Sequence, residues 1–203
     1  MKFRYFESAE KFGNYLDGKT ECDLCGQESK CFDASSFYGE EEIDAICPGC
    51  LAGGELAEMD IFTCDADREE LRRQLKMMNP SFAEEEIEKI VSEKTMQLEK
   101  TTPHLVTWQD WPWPVADGDY CIFTGFGSKQ LYNEMAKGSD GKILFRQSLL
   151  HSDHGEFNAD ELWEESMPKK LIRNYKESEG VSPLFYIFKS SSTDKIITVW
   201  DMD

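Results

Sequence analysis

The 203-residue chain is 40% hydrophobic and carries 40 Asp and Glu against 22 Lys and Arg, a formal net charge of −18. That length and apolar fraction suffice for a real core, in one domain or in a small domain attached to a larger one. The charge repels phosphate backbones and anionic lipid, the densest basic spots (Arg72-Arg73 and Lys169-Lys170) are short and flanked by acids, and no run of about 18 apolar residues exists, so neither nucleic-acid binding nor a membrane span is expected.

The opening MKFRYFESAEKFGNYLDGK mixes charges with aromatics and lacks a basic start followed by an apolar run. It does not read as a secretory leader, and the expected location is the cytoplasm. Residues 1–64 then hold six of the seven cysteines, Cys22, Cys25, Cys31, Cys47, Cys50 and Cys64. In a reducing compartment an odd count with two C-x-x-C pairs favours metal ligation over a disulfide framework.

Zinc takes four donors in a tetrahedron, and C-x-x-C lets two thiolates from one tight turn reach one ion. Cys22-Asp23-Leu24-Cys25-Gly26 is such a knuckle, with a glycine where the backbone must turn sharply. Cys47-Pro48-Gly49-Cys50 is the second pair, and 21 residues separate Cys25 from Cys47. That lies just above the spacing of roughly 15–20 in the common two-pair zinc signature. The intervening SSFYGEEEID reads as a hairpin or loop excursion, and LAGGELAEM after Cys50 as a short helical turn, the pattern of treble-clef sites. One structural Zn2+ on Cys22, Cys25, Cys47 and Cys50 is therefore expected, closed to water and substrate and contributing to folding rather than catalysis. Cys31 and Cys64 read as small buried hydrophobes rather than redox-sensitive thiols. A thioredoxin-like role is disfavoured, since neither pair follows a strand of a βαβ unit.

Residues 65–103 have helical texture. Asp65 or Asp67 caps a helix through Met78, and Asn79-Pro80-Ser81 ends it and starts another, with Ser81 and Glu84 spaced as a capping box. Ile87, Ile90, Val91 and Leu98 share one helical face, with Lys94 at the skipped position. Glu84-Glu85-Glu86 reads as an exposed first turn favoured by the helix dipole.

After Pro103, HLVTWQDWPWP has three tryptophans and two prolines and predicts an extended, partly buried segment. GDYCIFTG (118–125) is strand-like, SKQLYNEMAKG (128–138) a helix stopped by Gly138, and KILFRQSLL (142–150) another strand candidate. Asn158 caps a further helix that Pro168 kinks or splits from KKLIRNYKESEG, and LFYIFKSSSTDKIITVWDMD predicts a β-hairpin. The fold class is α+β: a treble-clef-like zinc unit (1–64), a helical segment (65–103), and an α+β body (104–203) ending in a hairpin.

Little else points to chemistry. His151, Asp153, His154 and Glu156 group two imidazoles with two carboxylates, a candidate second metal or acid–base site whose ordinary alternative is a solvated loop. Nothing marks an activated thiolate at Cys121 for a pair with His104. Gly125-Phe126-Gly127 is too short for a phosphate cradle. Trp108, Trp111 and Trp113 can line a groove, though aromatic clusters more often fill a core.

FRYFESAEKFGNY, ECDLCGQ, SSFYGEEEIDAICPGCLAGGELAE, HLVTWQDWPW and DGDYCIFTGFGS come in the order seen in the CbrC family of bacterial proteins, named after a colicin-tolerance protein, which the chain resembles over most of its length. The resemblance implies a cytoplasmic zinc-ligating protein, with Cys22, Cys25, Cys47 and Cys50 matching the N-terminal ligands, and implies no settled activity. Two departures bear on a second site. In the family pattern the tryptophan segment runs into a His-Cys before a further cysteine, and the C-terminal hairpin carries another C-x-x-C. Here Cys121 alone stands for the first, and Phe188–Thr193 occupies the place of the second. A second metal site, where other members build one, is thus expected to be lost.

Three functions follow as expectations. The first is a non-enzymatic, zinc-stabilised interaction protein tied to stress or toxin tolerance. The second is an acidic, immunity-like protein capturing a basic toxin domain, for which the net charge supplies steering. The third is a hydrolase-type enzyme using the His151/Asp153/His154 loop.

Overall fold

The loop-rich first 64 residues form only two-residue strands, as a stretch with few apolar runs must. The computed structural model describes residues 1–150 and 158–203. A single helical turn, α1 (Ala9–Phe12), precedes β1 (Thr20–Glu21), which pairs with β2 (Glu28–Ser29) across the first cysteine knuckle. Then β3 (Phe32–Asp33), β4 (Tyr38–Gly39) and β5 (Ala45–Ile46) follow, with β3 antiparallel to β5. The helix α2 (Pro48–Gly53) carries Cys50, and β6 (Ile61–Phe62) returns to pair with β4. Knuckle, short hairpins and a helix opening at the second cysteine pair are the treble-clef-like arrangement expected of this segment.

Two amphipathic helices come next. In α3 (Arg68–Met78) Asp67 is the cap, accepting from the Glu70 amide at 2.9 Å, and Leu71 and Leu75 are buried. The helix α4 (Glu84–Thr101) starts two residues later than a Ser81 cap requires. Its capping residue is Ala83, whose amide donates to the Glu86 carboxylate at 2.8 Å, so only the carboxylate half of a capping box exists. Ile87, Val91 and Leu98 are buried on one face with Ile90 half-buried beside them. Lys94, the charge on that face, reaches the Asp119 carboxylate at 2.8 Å. Arg72 pairs with Glu69 and Glu88, joining α3 to α4.

The stretch 103–114 holds no helix or strand, bends at 108–109 and makes one bridge from Trp113 to Ala66, with Trp113 buried, Trp111 half-buried and Trp108 56% exposed. It leads to β7 (Val115–Ala116) and β8 (Asp119–Tyr120), a tight hairpin, and to β9 (Ile122–Phe126). Ser128 caps α5 (Lys129–Met135), accepting from the Leu131 amide at 3.1 Å. Residues 142–150, a strand candidate, instead form α6 (Gly141–Ser148). Ile143 is the only β-branched residue in Gly141–Ser148, Asp140 caps the first turn through the Lys142 amide at 2.9 Å, and Gly141, Phe145 and Ser148 are buried at helical spacing. Asn158 caps α7 (Ala159–Glu161) through two amides at 2.9 Å; a π-turn extends it over 162–166 before Pro168, and 169–180 holds only a 3-10 turn at Tyr175–Glu177.

The hairpin of β10 (Leu184–Lys189) and β11 (Ile196–Asp201) gains β9 as a third antiparallel strand, with β10 in the centre. Five consecutive apolar residues, Leu184–Phe188, are buried because both faces of the sheet are covered. Alternation assigns them. Leu184, Tyr186 and Phe188 enter a large core drawn from all parts of the chain, from Tyr5 through Cys22, Leu71 and Val91 to Val199. Phe185 and Ile187 face a smaller core of Tyr132, Phe145, Leu162, Trp163 and Met167. Among the described residues, no helix is long and apolar enough to cross a membrane.

Candidate metal centre

The tight pairing of β1 with β2 brings Cys22 and Cys25 to one side of a turn. The Gly26 amide donates to the Cys22 carbonyl at 2.8 Å, and Gly26 takes φ +67°, the left-handed conformation that favours glycine. Cys47 caps α2, with Pro48 in its first turn, and the Cys50 amide donates to the Cys47 sulfur at 3.3 Å. The knuckle and the helix are tied by Asp23. Its Oδ2 accepts from the amides of Asp44 and Ala45 at 2.7 and 2.9 Å, while its own amide donates to the Ala45 carbonyl at 3.0 Å.

The outcome is that the Sγ atoms of Cys22, Cys25, Cys47 and Cys50 all lie within 4.8 Å of one another. Cys25 and Cys47 are 3.9 Å apart. A regular tetrahedron with metal–sulfur bonds of about 2.3 Å has sulfur–sulfur edges of about 3.8 Å, so the donor set fits a single ion of that kind. Cys22 is fully buried, Cys50 nearly so, Cys47 is half-buried and Cys25 is exposed, which puts the cluster at the edge of the large core.

Backbone dipoles prepare the sulfurs for negative charge. Burial opposes ionisation of Cys22, yet amides of Cys47, Cys25 and Leu24 together hold its pKa down to about 7. The Cys47 amide donates to that sulfur at 3.2 Å. Burial and the three neighbouring sulfurs push the Cys50 thiol up. Four such sulfurs this close repel as thiolates, and a bound divalent cation would supply the compensating charge. Cys22, Cys25, Cys47 and Cys50 would hold it and together leave no position for a substrate.

The other cysteines and histidines are built differently. Cys31 is buried against Ser29 Oγ (3.5 Å) and the Thr20 carbonyl (3.4 Å). Cys64 is buried, and burial raises its thiol pKa far above the ordinary value. Burial likewise pushes Cys121 up to about 12, which leaves it protonated and inert at neutral pH. His104 is buried with Nδ1 2.7 Å from the Thr63 carbonyl, packed against Phe37 and Tyr38, and burial lowers its pKa. It serves as a satisfied core imidazole. Gly125-Phe126-Gly127 ends β9 with Phe126 in the core. His151, Asp153, His154 and Glu156 lie outside the described residues.

Two buried carboxylates, Asp119 and Asp201, belong to no motif in the sequence. Asp119 is buried and receives Arg4 (2.9 Å), Lys94 (2.8 Å) and the Tyr5 hydroxyl (3.0 Å); burial opposes its ionisation, but Lys94, Tyr5 and Arg4 hold its pKa below the usual carboxylate range. Asp201 is buried at the end of β11 and accepts from the Trp108 amide (3.0 Å) and the Trp111 indole (3.2 Å). The one signal available beforehand was Lys94 on an apolar face, which demands a buried acid.

No solved structure matches the chain. The model of the Uncharacterised protein family (UPF0167) matches residues 1–201, from the N-terminal aromatics through both cysteine pairs to the last strand, and the chain belongs to that family.

Proposed function

We propose that this chain is a non-enzymatic interaction protein whose N-terminal unit is held together by one structural Zn2+ on Cys22, Cys25, Cys47 and Cys50. The observation that carries this reading is the convergence of four sulfurs within 4.8 Å at the junction of knuckle and helix. A four-thiolate set is closed to substrate, so its contribution is a cross-link between segments that bury little apolar surface. Zinc suits the donors better than magnesium or calcium, which take oxygen. Thiolate ligation in a reducing cytoplasm, and a role in stress or toxin tolerance as the likeness to the CbrC family implies, belong to the same reading.

Elemental mass spectrometry on the purified chain, before and after chelation, tests it. One zinc per chain is expected, and Cys25→Ser should lose the ion and disorder residues 1–64, whereas Ser191→Ala should do neither. Absence of zinc in freshly prepared, reduced protein would overturn the proposal.

A second reading is favoured by the net charge of −18: an acidic surface that captures a basic protein domain, in the manner of an immunity protein. Steering by such a field raises association rates and weakens with salt. Binding to a cationic nuclease domain that is lost steeply between low and physiological salt would support it.

A further inference from the structure

We propose that the cavity beside Trp108 binds a quaternary-ammonium cation of the choline type. The cavity, about 290 Å³, is walled by Val106, Trp108, Tyr175, Leu184 and Tyr186, with Glu179 also in its lining. The rings of Trp108 and Tyr175 thus share one small space with a carboxylate over a floor that includes the buried Tyr186, and among the described residues no lysine or arginine lines it. Aromatic faces attract cations through their quadrupole, most strongly where water is excluded. The apolar walls offer a metal ion or a primary ammonium little replacement for its hydration shell. A methylated ammonium, weakly hydrated and apolar on its outside, loses little on entering.

The walls are set in advance of binding. The Trp108 amide donates to Asp201 at 3.0 Å, and the Tyr186 hydroxyl donates to the Val106 carbonyl at 2.9 Å. Tyr186 is fully buried, while Trp108 is 56% exposed, an indole left at the rim where a ligand would cover it. The Glu179 carboxylate is near enough to Tyr175 to add to the effect of burial in raising that phenol's pKa. Pre-set walls lower the ordering cost of binding.

Calorimetric titration of the full chain with choline chloride, alongside its uncharged isostere 3,3-dimethylbutan-1-ol, tests the assignment. Saturable choline binding is expected, with the alcohol at least about tenfold weaker; Trp108→Ala should weaken choline by about tenfold or more and Glu179→Gln by a few-fold. Trp108 is exposed, so its variant should keep the wild-type circular dichroism. A parallel sedimentation assay with phosphatidylcholine vesicles separates the sources. Co-sedimentation abolished by Trp108→Ala assigns a lipid headgroup, and choline binding without it assigns a free cation. Equal binding of choline and the alcohol, no binding of either, or a folded Trp108→Ala chain with unchanged affinity would overturn the proposal.

Discussion

Asp23 is exposed, and composition alone would count it among the acids that keep the chain soluble. Its position inside the first knuckle makes it a clamp instead, since Oδ2 accepts from Asp44 and Ala45, three and two residues ahead of Cys47. Asp23→Ala should cost about 1 kcal/mol of stability in the metal-loaded protein, the net worth of such bonds. If the four cysteines hold zinc as proposed, the same change should weaken its retention, read as faster zinc release to a chromophoric chelator. If release is unchanged, Asp23 does not position the second pair. Asp119 is the opposite case, a buried carboxylate whose side-chain partners Arg4, Tyr5 and Lys94 come from the N-terminus and from α4, with the Tyr120 amide as a further donor. Removing it leaves Lys94 unpaired, which costs about 3 kcal/mol when a buried partner is lost, so Asp119→Ala should lower the midpoint of urea unfolding markedly.

At the scale of elements, α6 shows how tertiary contact decides a local choice. Its apolar residues suit a strand nearly as well as a helix, but Gly141 lets the first turn abut α5. A Cβ there would lie 2.7 Å from the Asn133 amide nitrogen and 2.8 Å from the Tyr132 carbonyl carbon, both backbone atoms that cannot swing away. Gly141→Ala should therefore destabilise the smaller core by about 2 kcal/mol despite alanine's better helix propensity, checked by the thermal midpoint and Trp163 fluorescence. A stabilised variant would show that α5 and α6 pack less closely. The same lesson holds for β10. Its unbroken apolar run identifies a strand, and only the two cores explain why both faces are apolar.

For the whole molecule, two buried groups predict how acid acts on stability. His104 is buried with its pKa lowered, so its contribution is complete above the unfolded value near 6.5 and is lost as pH falls from there through its folded value. Asp119, also depressed, contributes fully above about pH 4, and that contribution disappears below it. Stability should decline in two stages on acidification, and Asp119→Asn should flatten the lower one; a single transition unchanged in Asp119→Asn would contradict this. An ion held by the four cysteines would add to the decline, because thiolates exchange a metal for protons.

The four cysteines were legible from spacing because two thiolates on one turn need C-x-x-C, a local constraint independent of the rest of the fold. Asp67, one of two acids offered, and Asn158 as caps, α3 to its last residue, and the terminal hairpin were legible for the same reason: each depends on residues within a few positions. What depended on distant partners was not. The pairing of β9 with β10, the salt bridge that explains Lys94, and the cavity beside Trp108 arise from segments tens of residues apart, whereas 141–148 is helical through its Asp140 cap and its close packing on α5. Local patterns encode turns, caps and metal knuckles because their energies are local, whereas the burial that chooses between helix and strand, or leaves an indole exposed beside a cavity, exists only once the chain has folded back on itself.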